Sequence, residues 1–187
     1  MNTICETERK RKWNHGDSGG SQKQQLDLQD SVRGMKDPLF CEIGFNAGRS
    51  AQTVLESNES ARVISFDLGG PGPESVYECM KDVYKERLNV IWGDSTQTIP
   101  KNQYLPCDVW FVDGGHTKEV AKADLKNILD HVSPNGSKII MDDTPCNKGW
   151  CVGPTEAWAE RDERIVEKGQ KRDGAGRGWS LGFVSSK

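Results

Sequence analysis

From Pro38 onward the chain alternates short apolar runs with amphipathic stretches. The apolar runs fall at residues 39–43, 62–66, 89–92, 108–112, 137–141 and 179–184, with a weaker one at 165–167. Each is short enough for a buried strand. Between them, residues 74–88 follow Pro73 at a first-turn position and put Val76, Met80, Val83, Tyr84 and Leu88 on one helical face. Residues 117–132 start from a Thr cap, repeat Ala121, Leu125, Ile128, Leu129 and Val132 at helical spacing, and stop at Ser133-Pro134-Asn135-Gly136. This alternation predicts an α/β domain with a mostly parallel sheet flanked by helices, over residues 37–187. Residues 1–36 are polar and Gly/Ser/Gln-rich without sustained periodicity, and are expected to form a flexible polar arm. No internal repeat is visible.

At 187 residues the chain has the length of one domain, enough to bury a core without a disulfide or structural metal. Its 25 Lys+Arg and 28 Asp+Glu give a net charge of -3 spread along the chain, which argues against nucleic acid as a partner. No apolar run approaches the roughly 20 residues that span a bilayer, so no membrane is expected. The N-terminus carries charges where a secretory signal needs apolar residues, which makes the cytoplasm the expected location. The run Arg9, Lys10, Arg11, Lys12 reads as a solvated charge run, with a nuclear signal as the alternative. The six cysteines are scattered, three of them at or beside apolar runs, and are expected to be reduced. Cys146 and Cys151 are the one close pair, and their spacing does not match a zinc site.

Three strand ends carry candidate chemistry. The first runs into Glu42-Ile43-Gly44-Phe45-Asn46-Ala47-Gly48-Arg49-Ser50, where glycines allow a tight turn and close approach to a ligand before a helix. The Gly-x-x-x-Gly spacing departs from the Gly-x-Gly-x-x-Gly that seats a pyrophosphate, which counts against NAD. The second strand ends at Asp67, 23 positions after Gly44, where a doubly wound fold places a carboxylate against a ribose diol. The third ends in Gly93-Asp94-Ser95, bordering the same crevice. Taken alone, the glycine loop is also compatible with a plain strand-to-helix turn.

Taken in order, EIGFNAGRS, ISFD, VIWGDS, DVWFVDGGH, an Asn-Gly turn and KIIMDD resemble the motifs of class I S-adenosylmethionine-dependent methyltransferases. The resemblance covers roughly residues 38–144 and is nearest to the small-molecule O-methyltransferase branch with macrocin-type enzymes and, more distantly, catechol and caffeoyl-CoA O-methyltransferases. It implies a Rossmann-like doubly wound sheet of about seven strands, mostly parallel with the last antiparallel. It also implies that Glu42, Gly44, Asn46, Gly48 and Ser50 form the loop near the methionine moiety. Asp67 would hold the ribose hydroxyls, Asp94 and Ser95 would lie near the adenine, and Asp113 would border the cofactor.

Asp113 closes the fourth strand, and Asp142-Asp143 the fifth. On neighbouring strands these three carboxylates converge, and a cation offsets their repulsion. Oxygen ligands favour Mg²⁺ or another hard divalent ion, and in the metal-dependent relatives the matching carboxylates chelate one. The alternative is that they bond backbone or cofactor and cap the following turn. His116, in the turn after Asp113, stands where the metal-dependent relatives place a basic residue, Lys in the catechol-type pattern. It is a candidate base beside Asp113, although a structural hydrogen bond explains it equally well, and Lys118 is a weaker candidate. Trp150 and Trp158 could wall an acceptor pocket or pack in the core. The expected activity is methyl transfer to a hydroxyl of a small-molecule acceptor with metal assistance, in a chain that could form a homodimer. A non-catalytic binding module and, behind it, an NAD(P)-dependent oxidoreductase are the rival readings.

Overall fold

The computed structural model describes residues 21–102 and 105–186. Strands β1 (Leu39–Ile43) and β4 (Val109–Val112) are buried along their whole length, so they lie at the centre of the sheet with apolar side chains on both faces. Five parallel strands form around them, with β2 (Arg62–Asp67), β3 (Leu88–Trp92) and β5 (Ser137–Asp142). The antiparallel β7 (Gly178–Val184) inserts between β5 and the edge strand β6 (Val166–Arg172), giving the order β3-β2-β1-β4-β5-β7-β6. This is the seven-stranded arrangement with an antiparallel last strand that the resemblance implies.

Alternation along the strands divides the core in two. Phe40, Val109 and Phe111 point into one layer with Val54, Leu55 and Met80, while Cys41, Ile43, Trp110 and Val112 point into the other with Leu125, Ile139 and Trp158. Helices α2 (Arg49–Ser57) and α3 (Pro71–Tyr84) cover the first layer, and α5 (Lys118–Asn127) and α6 (Val152–Ala159) the second. The short α4 (Ser95–Lys101) follows β3, capped by Asp94, which accepts from the Thr96 N–H at 2.9 Å. The helix expected over 74–88 starts earlier, at Pro71, and ends at Tyr84. Lys85 has φ of 51° and begins a 3-10 turn, which frees Leu88 to open β3. Likewise α5 stops at Asn127 and a 3-10 turn covers Ile128–Asp130.

Two expectations are corrected. The polar arm foreseen through residue 36 contains a helix, α1 (Gln22–Val32), with Leu28 and Val32 in the core. Its buried face also includes Gln24 and Ser31, which hides the periodicity. Asp27 fixes the helix to the sheet by accepting from Trp179 Nε1 at 2.6 Å and from Lys171 Nζ at 2.5 Å. The basic run at residues 9–12 and Cys5 lie outside the described residues. The cysteines foreseen as reduced are instead paired: Cys41 in β1 with Cys107 before β4, and Cys146 with Cys151. Strand adjacency brings the first pair's Cα atoms to 5.9 Å and a turn brings the second pair's to 5.8 Å, within disulfide reach. Among the described residues no helix is long and apolar enough to cross a membrane.

If α1 is integral to the core, Leu28→Ala costs about 2–5 kcal/mol in urea unfolding. A loss below about 0.5 kcal/mol, typical of a surface site, would mean the helix does not contribute to the folded domain.

Candidate active site

The strand order reverses at β1, which lies between β2 and β4, and the loops at the carboxyl ends part there to leave a crevice. A cavity of about 910 Å³ occupies it. Gly44, Asn46, Asp67, Asp94, Ser95, Asp113, His116, Asp142 and Asp143, all singled out from sequence, line this one space. Glu42, Gly48 and Ser50 do not line it; they stand behind the loop.

The loop is shaped by Asp67. One carboxylate oxygen accepts from the backbone N–H groups of Phe45 and Asn46, both at 2.9 Å, and the other accepts from Gly69 N–H at 2.8 Å. These bonds hold the β1 and β2 ends together. Gly44 has φ of 95°, and a Cβ there would overlap the Asp113 carbonyl oxygen, so glycine is required where the two loops touch. Glu42 is completely buried beneath them and accepts from Ser50 Oγ at 2.5 Å and Ser65 Oγ at 2.6 Å. Burial outweighs these bonds and pushes its carboxyl up to about 7.

At the other end of the cavity the charge is denser. Burial and then the Asp142, Asp143 and Glu42 carboxylates push Asp113 well above the usual carboxylate range, while Arg177 offsets part of this. Asp142 is pushed up to about 6, chiefly by burial and then by Asp143; Gln24 Nε2, donating at 2.6 Å, and Arg177 act in the opposite direction. His116 Nε2 lies 3.1 Å from Asp143 Oδ2, and that bond raises the imidazole's pKa. Ligand atoms of Asp113, His116 and Asp143 lie within 4.8 Å of one another, a spacing that one metal ion could bridge. The expected metal-holding trio was Asp113, Asp142 and Asp143; the grouping by distance includes His116, while one oxygen of Asp142 accepts from Gln24 Nε2. Two carboxylates and an imidazole suit a divalent cation. The Trp150 ring leans over His116 with centroids 5.8 Å apart. Trp158 is in the core, its Nε1 donating to Glu167 at 2.9 Å, and does not line the cavity. Lys118 is paired with Glu160 at 2.6 Å, away from the cluster.

The comparison that decides the family is with a model described as a methyltransferase domain, which matches residues 41–144. The chain belongs to this methyltransferase family. Its fold is that of class I S-adenosylmethionine-dependent methyltransferases. The O-methyltransferase of Bacillus cereus in complex with S-adenosylhomocysteine superposes with a TM-score of 0.72 at 21% identity, over 99% of this chain and 92% of that one. The O-methyltransferase TomG of Streptomyces achromogenes, involved in tomaymycin synthesis and solved with S-adenosylmethionine, superposes with a TM-score of 0.71 at 18% identity, over 100% and 91%. At these identities the likeness establishes the fold. A tRNA (guanine-N(7)-)-methyltransferase of Helicobacter acinonychis is 25% identical over 135 residues, or 66% of this chain. The chain spans about a third of that relative's length (34%).

Two residues of the cavity lining, Leu68 and Arg177, and one behind it, Gln24, escaped the sequence reading. Leu68 is 80% exposed at the cavity edge, and its signal is an apolar residue directly after the strand-end Asp67. Arg177 comes from the glycine-rich β6–β7 turn, whose function the sequence did not disclose. Gln24, bonded to Asp142, sits in a segment with no visible pattern.

Glu42 yields a prediction with a definite sign. Its folded pKa of about 7 lies above the ordinary 4.5, so the folded chain retains a proton that the unfolded chain releases. Stability fully present below pH 4.5 is therefore lost as pH rises to about 7, by up to about 3 kcal/mol. Glu42→Gln removes this loss. In urea unfolding, its stability relative to the native chain climbs between pH 4.5 and 7 and is level on either side; parallel curves would contradict the buried, protonated carboxyl.

Proposed function

We propose that this methyltransferase transfers a methyl group from S-adenosylmethionine to a hydroxyl of a small molecule, with a divalent cation assisting. The observation that carries the reading is the Asp113, His116 and Asp143 cluster, which faces the same cavity as Asp67, Asp94 and Ser95. The cavity has the volume of a small-molecule site, and its division by strand order suggests two roles. Asp67, Leu68, Asp94 and Ser95, from the β2 and β3 ends, would receive the nucleoside; Asp67 Oδ1 bonds only Gly69 N–H among the described contacts and keeps capacity for a ribose hydroxyl. Gly44 and Asn46 would face the methionine portion.

Bound S-adenosylmethionine supplies an electrophilic methyl group, and a divalent ion at the cluster supplies a Lewis acid that lowers the pKa of the acceptor hydroxyl. The chain's own task is alignment and proton removal, since methyl transfer is an in-line displacement. Asp113 and Asp143 would hold the ion, with Asp142 or His116 as the third group. His116 is the candidate base, accepting the hydroxyl proton at Nε2. Either role requires the neutral imidazole, and Asp143 opposes this by holding the proton on. Asp143 thus sets the pH at which the site becomes competent. Trp150 would exclude water on the acceptor side. The dense acidic rim disfavours a polyanionic acceptor such as nucleic acid.

Steady-state kinetics on a panel of small hydroxyl acceptors tests this reading. Asp67→Ala raises the KM for S-adenosylmethionine by about 100-fold, the equivalent of two hydrogen bonds to a charged group. Asp143→Ala leaves that KM alone and lowers kcat by more than about 100-fold, as EDTA does for the native enzyme. O-methylation that withstands both EDTA and Asp143→Ala would overturn the metal role, and methylation at nitrogen alone would overturn the acceptor class.

A further inference from the structure

Residues 146–151 form a small ring closed by the Cys146–Cys151 disulfide. The ring's free arc, Asn147 to Trp150, is exposed, and Trp150, 45% exposed, both lines the cavity and leans on His116. The two ends of the ring have anchors that do not depend on the sulfur bond. Cys146 N–H donates to Thr155 Oγ1 at 3.0 Å, and Thr155 also donates to the Asp143 carbonyl at 3.3 Å. Cys151 is buried and starts α6, accepting from Thr155 N–H at 3.2 Å. Gly153 lets that helix press on the neighbouring loop, because a Cβ there would overlap the His116 carbonyl oxygen. Between the anchors, the arc is closed by one backbone bond, from Cys151 N–H to the Lys148 carbonyl at 3.0 Å. The disulfide is thus the main restraint on where Trp150 stands, and opening it would loosen the arc while α6 and Asp143 stay in place.

We propose that the Cys146–Cys151 disulfide is a reducible strap that holds Trp150 against His116 and so sets the shape of the acceptor end of the cavity. The proposal rests on the reading that this end, rather than the Asp67 end, receives the acceptor. Cys146 is partly exposed, so a thiolate can attack its sulfur, with Cys151 as the leaving group. A dithiol supplies two electrons and two protons: the Cys146–Cys151 bond breaks, both cysteines become thiols, and the dithiol closes to its own cyclic disulfide. Reoxidation by a disulfide reverses the exchange. The cofactor end lies on other strands and is untouched.

The test uses the full chain, purified without reductant, and proton NMR of the histidine ring resonances at one fixed pH, with His116 assigned through His116→Gln. In the native protein Cys146 and Cys151 resist alkylation and the His116 resonance carries the ring-current shift of Trp150. Treatment with dithiothreitol moves it, Cys146→Ser/Cys151→Ser has the moved position with or without dithiothreitol, and in Trp150→Ala the resonance is indifferent to dithiothreitol. The double variant separates this strap from the Cys41–Cys107 disulfide. Affinity for S-adenosylhomocysteine stays within about two-fold in the native protein, with or without dithiothreitol, and in the double variant. Free thiols in the untreated protein, or a His116 resonance that ignores the disulfide, would overturn the strap. A parallel collapse of S-adenosylhomocysteine affinity in the double variant would also overturn it, by showing a general structural role. Absence of S-adenosylhomocysteine binding in the untreated native protein would instead overturn the methyltransferase reading, while the His116 resonance still judges the strap.

Discussion

Mutual repulsion among buried carboxylates at the carboxyl ends of three adjacent strands constrains the rest of this structure. Asp142 and Asp143 at the end of β5 and Glu42 on β1 raise the pKa of Asp113 after β4, and Asp143 raises that of Asp142. Parallel pairing of β4 with β5 brings Asp113 and Asp142, next after the paired Val112 and Met141, to one level, and Glu42 pairs with Phe111 just below. Each carboxylate is therefore answered by a different part of the chain. Ser50 on α2 and Ser65 on β2 bond Glu42, Gln24 on α1 bonds Asp142, His116 bonds Asp143, and Arg177 from the β6–β7 turn opposes the charge of Asp113 and Asp142. Segments far apart in sequence are thereby drawn to one rim.

The other half of the crevice is organised by bonds rather than by repulsion. Asp67 accepts three backbone N–H groups from two loops, so the glycine turn after β1 is fixed before any ligand arrives. This contrast gives the cavity two ends with different physical characters: a hydrogen-bonded end at Asp67 and an acidic end at Asp113, Asp142 and Asp143. The strand order supplies the boundary between them at β1 and β4.

The central strands were legible in sequence because burial on both faces leaves uninterrupted apolar runs, as in Val109 to Val112. The strand-end acids Asp67, Asp94, Asp113, Asp142 and Asp143 followed from those runs, and all five line one cavity. Helix α1 was not legible, since Gln24 is buried to bond a residue 118 positions away and no local pattern encodes such a contact. The edge strand β6 was foreseen as a short weak run and extends over Val166–Arg172, because its exposed, charged sequence answers to pairing with β7 rather than to burial. The cysteine pairs were missed for a similar reason: Cys41 and Cys107 are 66 positions apart and meet only once β1 and β4 are neighbours.

A crevice that the chain builds by itself at the strand ends would bind the cofactor without help from a metal. Calorimetric titration of the native protein with S-adenosylhomocysteine, in EDTA and again with Mg²⁺, tests it most directly. Saturable binding is expected at about micromolar concentration in EDTA, near -8 kcal/mol, since the Asp67 end needs no metal, with a separate heat for Mg²⁺ at the acidic end. No binding up to about millimolar S-adenosylhomocysteine, with or without Mg²⁺, would contradict it.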